Sequence, residues 1–522
     1  MMETRPMKYP IGVQGFAGLR KDGYVYVDKT KYLYQMVHDG KVYFLSRPRR
    51  FGKSLFLSTL HAYFEGKKEI FDGTYVGEHE TEWTKYPVMK LDLNADDYTS
   101  ADVLRSRLDA QLREWETEYP TDYQQYSIGV RFEKVIKKAC EDTGHRVVIL
   151  VDEYDKPLLQ AIGKPDIQDA MRGVLKGFYG ALKSMDEYIK FAFLTGVTKF
   201  GKVSVFSDLN NLNDISMDSR YHGICGITEE ELTATFRESI ESLAENNDMT
   251  YDECLQELRR RYDGYHFRPN TVGIYNPFSV LRTFGQQEFG SYWFATGTPT
   301  YLVNLLQRHD WNLQDMETAE VTEDVLNSVD SENSNPIPVI YQSGYLTIKD
   351  YNKEFDEYTL GFPNKEVEEG FVKYLTPYYL SREKKRNVFD IRNFIKDVRS
   401  GDVEQFCKRL KVLFSDTPYE LVKDLENHYQ NIVWVAFKML GFYSQAEYHT
   451  SEGRIDLVVK APGYTYVMEF KLDGTAEDAL QQIKGKDYPL PFSLDDGTVF
   501  LIGMNFSHET RNIERYVIER LP

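Results

Sequence analysis

The chain is 522 residues long, too long for a single hydrophobic core, so about two to four domains are expected. Its 42% hydrophobic and 28% charged content is that of a globular protein, and no apolar run approaches the ~18 residues of a membrane span. A net charge of −18 argues against a surface coated in basic residues for tight nonspecific nucleic-acid binding.

The opening MMETRPMKYPIG has no apolar h-region, so no signal peptide is expected. Cys140, Cys225, Cys254 and Cys407 are scattered, with no pair at metal-ligand spacing. They read as reduced thiols of a cytoplasmic protein. The histidines form no H-x-x-x-H-like cluster, which disfavours zinc.

Residues 24–38, YVYVDKTKYLYQMVH, predict a short alternating strand that gives way to a helix at Asp28. VYFLSRPRRFGKSLFLSTL at 42–60 predicts a buried strand, a turn, and an amphipathic helix opening at Gly52-Lys53-Ser54. In that setting backbone N–H groups attract a polyphosphate, Lys53 neutralises it, and the Ser54 hydroxyl holds Mg²⁺. The pattern G-x-x-x-x-G-K-[ST] is met except at its first position, where Arg47 stands. An ordinary helix start would also carry Gly-Lys-Ser; the preceding strand favours the phosphate loop.

PVMKLDL at 87–93 predicts another strand, and 101–118 and 130–142 predict helices. RVVILVDE at 146–153 reads as a strand buried on both faces. It places Asp152 to hold Mg²⁺ and Glu153 to polarise an attacking water. A third apolar strand, 191–197, ends near Thr195 and Thr198, placed either to sense a γ-phosphate or to serve β-propensity alone. SDLNNLND at 207–214 reads as a polar loop.

This alternation of helices and strands is the signature of a parallel α/β sheet over residues 1–225. At Thr228 the texture changes: Thr228 and Glu231 make a capping box, helical periodicity runs to about 245, and a second helix covers 251–262. Residues 226–385 are therefore expected to be a helical lid or winged-helix-like module with a connecting region. Within it, 309–348 holds eight acids and no Lys or Arg, and reads as a solvated segment. The runs Arg259-Arg260-Arg261 and Lys384-Lys385-Arg386 read as solvated helix ends or a hinge.

GRIDLVVKAPGYTYVMEFK at 453–471 predicts a hairpin. A turn centred between Pro462 and Gly463 sets Asp456 opposite Glu469, and Lys471 then shares the face of Glu469. Two carboxylates and one ammonium on one face suit metal-dependent phosphodiester hydrolysis, with Asp456 and Glu469 as hard oxygen ligands for Mg²⁺ or Mn²⁺. A cross-strand salt bridge would use the same residues. A helix over 418–440 carries Glu426, which could add a metal ligand, and a helix beginning near Thr475 carries Gln482.

These motifs resemble the predicted AAA-ATPase-like family with a C-terminal PD-(D/E)XK nuclease-superfamily domain. The resemblance rests on YVDKTKYL at 26–33, RPRRFGKSL at 47–55, LVDEYDKP at 150–157, LTGVTKFGKVSVFSDLNNLNDIS at 194–216, DGYHF at 263–267, YNPFSVL at 275–281, YQSGYLTI at 341–348, GRIDLVV at 453–459 and EFK at 469–471. It implies an N-terminal P-loop ATPase with a parallel sheet, a helical middle module, and an α/β restriction-endonuclease-like domain over 386–522. It implies ATP on Arg49, Arg50, Phe51, Gly52, Lys53, Ser54 and Leu55. Mg²⁺ would sit on Ser54 and Asp152, with Glu153 as hydrolytic base. Asp456, Glu469 and Lys471 would form the nuclease centre, supported by Glu426 and Gln482. The proline of the superfamily's "PD" is absent, Ile455 preceding Asp456. The implied partner is nucleic acid, DNA first, with a role in defence against foreign DNA; a nucleotide-driven switch that binds without cutting stays open beside it.

Overall fold

The structure, a computed structural model, describes residues 7–521 apart from 200–210, 294–318, 328–334, 380–390, 416–425, 440–442, 451–452 and 493–496. Chain packing divides it into two compact units. The first holds the described residues up to Trp293 together with 320–366, and the second Ala319 and those from 367 onward. Lys384, Lys385 and Arg386 lie outside the described residues.

The first unit is built on five parallel strands: β1 (Val42–Ser46), β2 (Val88–Asp92), β3 (Val147–Asp152), β4 (Ile189–Gly196) and β5 (Asn213–Asp214), in the order β2-β3-β4-β1-β5. Every residue of β1 and β3 is buried, as helices on both faces of a parallel sheet require. Because β4 pairs with both β1 and β3, the C-terminal ends of the loop strand and the acidic strand flank that of β4. A crevice at strand C-termini is the ligand position of open α/β sheets.

Three sequence expectations are corrected here. Residues 24–28 form no strand: Val25 N–H reaches the Lys8 carbonyl, but no strand pairs with the segment. The apolar Val25, Tyr26 and Val27 line a cavity instead. The polar stretch 207–214 is not all loop, because Asn213 and Asp214 pair with Tyr43 and Phe44 as the edge strand β5. The helix Lys53–Phe64 is not amphipathic: Phe56, Leu57, Leu60, Ala62, Tyr63 and Phe64 are all buried, so most of its circumference faces protein.

The capping box forms as read. Thr228 accepts from the Glu231 N–H and Glu231 reaches back to the Thr228 N–H, opening the helix Glu229–Asn246. Thr250 and Glu253 repeat the device for the helix Tyr251–Tyr262. These helices bury Leu232, Ile240, Leu243 and Leu258 against the helix Pro277–Gln286. Each arginine of the 259–261 run meets an acid, Arg259 on Glu229 and the other two on Glu257. A short pair, β6 (Ile227–Thr228) with β7 (Ile274–Tyr275), joins the helical part to the loops around it. Beyond it β8 (Glu320–Thr322), β9 (Thr347–Asn352) and β10 (Glu357–Gly361) form an antiparallel sheet in the order β8-β10-β9.

The second unit carries β11 (Tyr443–Thr450), β12 (Gly453–Ala461), β13 (Tyr464–Leu472), β14 (Thr498–Ser507) and β15 (Asn512–Arg520), paired in chain order. β13 and β14 are parallel and joined through the helix Ala476–Gly485. Leu480 and Ile483 of that helix pack with Val458, Val467 and Leu501, which fixes the helix over one face of the hairpin.

Candidate functional sites

In the first unit the loop after β1 turns through Arg50, at φ 68°, and Gly52, at φ 96°, before the helix begins at Lys53. The left-handed conformation at Gly52 is one that glycine adopts without strain. Lys53 is buried, and its ammonium donates to the carbonyls of Arg47 (3.0 Å) and Pro48 (3.2 Å) and lies 3.4 Å from Glu153. Arg47, where a phosphate loop ordinarily has glycine, is itself buried. Its guanidinium donates to the carbonyls of Ser46 and Ser216 and sits 4.0 Å from the centre of the Phe267 ring. The arginine thus takes the place of a tight turn with a bridge that holds the loop from beneath.

Asp152 ends β3, is buried, and accepts a 2.7 Å hydrogen bond from the Thr195 hydroxyl. Thr198 donates in the same way to Asp155. Burial, and then the nearby Glu153, push the Asp155 carboxyl up to about 6. Both threonine hydroxyls are therefore engaged in holding acids of the β3 turn.

A cleft of about 360 Å³ opens over this loop, within the size range of small-molecule sites. Its lining includes Arg49, Arg50, Lys53 and Lys156, with Glu153 as the carboxylate among them. In a chain of net charge −18 this is a locally positive site, and the donor set suits a polyphosphate. Ser54 and Leu55 also line it, while the Phe51 side chain turns inward against Tyr265 and Phe267. Ser54 lines the cleft, whereas Asp152, buried and bonded to Thr195, is not part of the lining; a hydroxyl and a carboxylate of this kind are groups that Mg²⁺ prefers. Pro10, Ile11, Pro277, Phe278 and Leu281 line it as well, with the Arg50 guanidinium 4.9 Å from the centre of the Phe278 ring. A smaller apolar cavity of about 90 Å³ shares Pro10, Leu55, Pro277 and Leu281 with the cleft. The 275–281 motif thus contributes to the cleft, a role that its composition alone does not show. Its proline one residue into a helix was the available signal, because such a helix start can form a rigid wall.

In the second unit the hairpin has the register its turn predicts, Leu457 opposite Met468 and Val458 opposite Val467. Asp456 and Glu469 follow as neighbours. The Phe470 N–H donates to the Asp456 carboxylate at 2.7 Å, and the Asp456 N–H reaches Glu469 at 3.4 Å. Lys471 lies 3.9 Å from Glu469 and donates to the Gln482 carboxamide oxygen at 2.7 Å, while the Gln482 amide donates to Glu469. The structure therefore brings Asp456, Glu469, Lys471 and Gln482 together. Glu426 opens the helix Glu426–Met439, and only its backbone is described.

The Glu469 side chain is 2% exposed. Burial first, and the negative charge of Asp456 second, push its carboxyl up to about 8 against the opposing pull of Lys471. Two adjacent carboxylates, one of them desolvated, make a donor set that suits a hard divalent cation. Among the described residues no three His, Cys, Asp or Glu side chains cluster into a metal-ligand set. The pair alone matches the way Mg²⁺ binds, through one or two carboxylates with retained waters.

Comparison with known proteins gives a family for each of two stretches of the chain. The family model described as "Predicted AAA-ATPase" matches residues 10–206, and that of the PD-(D/E)XK nuclease superfamily matches 424–516. An "Uncharacterized protein in vnfD 5'region" of Azotobacter chroococcum mcd 1 is 35% identical over 98% of this chain and 99% of its own length. The chain belongs to this predicted AAA-ATPase family with a C-terminal PD-(D/E)XK nuclease-superfamily domain. Among solved structures, the Aeropyrum pernix ORC2 protein in its ADPNP-ADP complexes matches at 10% identity over 70% of this chain and 92% of that chain. Its TM-score of 0.24 is too low to carry an argument about geometry. Among the described residues no helix is long and apolar enough to cross a membrane.

Proposed function

We propose that the chain binds and hydrolyses ATP with Mg²⁺ in its first unit and cleaves nucleic acid, DNA first, at a divalent-metal site in its second, with nucleotide state gating the cut. The observation that carries the nuclease half is the convergence of Asp456, Glu469, Lys471 and Gln482 on one face of a hairpin covered by a helix. The ATPase half is supported by the buried Lys53 beneath a positively lined cleft, with Asp152 at the end of the acidic strand.

A divalent cation supplies Lewis-acid stabilisation of phosphoryl oxygens and a more acidic water at either site. The chain's own residues do the rest. Lys53 transfers from the Arg47 and Pro48 carbonyls and Glu153 to the phosphates, which frees Glu153 to orient and deprotonate a water. Arg49 and Arg50 neutralise the phosphate tail, and the apolar Pro277, Phe278 and Leu281 of the same cleft offer a surface to the nucleoside. At the hairpin, Lys471 neutralises charge developing on the scissile phosphate. Gln482 holds Lys471 and Glu469 in register. A 100-fold gate between the units needs only about 2.7 kcal/mol of coupling.

The test is cleavage of supercoiled plasmid, linear duplex, single-stranded DNA and RNA with Mg²⁺ or Mn²⁺, with and without ATP, beside Lys471→Ala. Metal-dependent cutting lost in the variant is the expected result. No cutting on any substrate while ATP hydrolysis persists would favour the second reading, a nucleotide-driven switch that binds without cutting, to which the net charge of −18 is better suited.

A further inference from the structure

Each residue of the loop from Arg47 to Phe51 is held by a different later segment of the first unit. Arg47 reaches Ser216 and Phe267. Pro48 meets Gly344, where φ is 90° and an added Cβ would stand 2.6 Å from the proline ring. The Arg49 carbonyl accepts the indole N–H of Trp293 at 3.1 Å. Arg50 lies 4.9 Å from the Phe278 ring, and the Phe51 carbonyl accepts the Gly226 N–H at 2.9 Å.

The Trp293 contact is the one that leads onward. The backbone N–H of Trp293 donates to Glu366 at 2.8 Å, and that of Tyr292 donates to the same carboxylate oxygen. Glu366 is 1% exposed and is the second residue of the helix Lys365–Tyr379. The chain passes from the first unit into the second within this helix, between Glu366 and Val367. The segment before Trp293 is pinned in turn: the Tyr262 hydroxyl donates to the Gly290 carbonyl and accepts from the Gly290 N–H.

We propose that Trp293 is a relay: nucleotide in the loop is read through its indole N–H and passed, by way of Glu366, to the helix that enters the nuclease unit. The proposal rests on the nucleotide-binding half of the function proposed above. Its physical basis is the position of the Arg49 carbonyl, next in the chain after the two carbonyls that Lys53 holds in this structure. When Lys53 turns to a phosphate, those carbonyls lose a charged donor and the peptide planes around Arg49 must readjust. A rigid indole bonded to the Arg49 carbonyl, with its own backbone anchored on a buried carboxylate, transmits such a shift over a contiguous path of hydrogen bonds.

The test is hydrogen exchange read by mass spectrometry on the full-length protein, wild type and Trp293→Phe, with and without Mg²⁺ and the non-hydrolysable analogue adenylyl imidodiphosphate. The phenylalanine keeps a ring against Tyr345 and removes the N–H donor. In wild type, nucleotide should protect peptides spanning 47–55 and also change exchange in 365–374. In the variant, loop protection should persist while the response of 365–374 falls at least threefold. An undiminished helix response in the variant, or a wild-type helix that ignores nucleotide while the loop is protected, overturns the relay. Loss of loop protection in the variant also overturns it, since Trp293 would then belong to the binding site. A wild-type loop that shows no protection refutes nucleotide binding itself.

Discussion

Replacing Lys53 with methionine is the most direct perturbation of the first site. The ammonium makes two hydrogen bonds to loop carbonyls and one ion pair with Glu153, all within 3.4 Å, in a side chain 3% exposed. A bound triphosphate replaces these acceptors with phosphate oxygens. Charge-assisted hydrogen bonds contribute about 1.5–3 kcal/mol each. Two such bonds to phosphate come to about 3–6 kcal/mol, and with the contacts to neutral carbonyls and Glu153 offsetting about half of that, about 2–3 kcal/mol remains, roughly a 30- to 150-fold weaker affinity. In the free variant the Arg47 and Pro48 carbonyls lose their charged donor and the loop readjusts, while Glu153, 18% exposed at its side chain, can recruit water. Calorimetric titration with Mg²⁺-ATP and with Mg²⁺-tripolyphosphate measures the effect. Thermal unfolding checks it, since ligand at 100 times its Kd stabilises wild type by about 2.7 kcal/mol. If Lys53→Met binds tripolyphosphate within threefold of wild type, the assignment of this loop as the phosphate site is wrong.

Leu281→Trp should weaken Mg²⁺-ATP binding at least tenfold, because Leu281 lines both the cleft and the apolar cavity beside it and the larger ring takes up that space; calorimetric titration shows it. Asp456→Ala should abolish Mn²⁺ binding to the second unit in a calorimetric titration while leaving ATP binding intact, since among the described residues Asp456 and Glu469 are the carboxylates that meet there. Asp263→Asn should stabilise the protein at pH 7.5 by about 2 kcal/mol and leave it unchanged near pH 4. Burial pushes the Asp263 carboxyl up to about 6. The folded state therefore holds a proton that the unfolded state has released between about pH 4 and 6, and stability falls as pH rises through that window. Denaturant unfolding at the two pH values decides, and an equal effect at both would refute it.

Both sites were legible in the sequence to the extent that they are local. The hairpin register followed from one turn, because strand period and turn position leave no other pairing for Asp456 and Glu469. Strands β1 and β3 were visible as continuous apolar runs, and the Thr228–Glu231 box as a four-residue pattern. What depends on a distant partner was not legible. Residues 24–28 alternate like a strand but pair with none, and Asn213–Asp214 lack any apolar signal yet extend a sheet, because pairing is made by backbone groups that composition does not report. Likewise the roles of Thr195, of Pro277–Leu281 and of Trp293 arise from contacts across 43 to 244 positions of sequence. The sequence determined which residue types stand in each turn and strand, since propensity and period act over a few residues. The tertiary structure decided which of those residues face one another, since that is settled by the burial of whole elements.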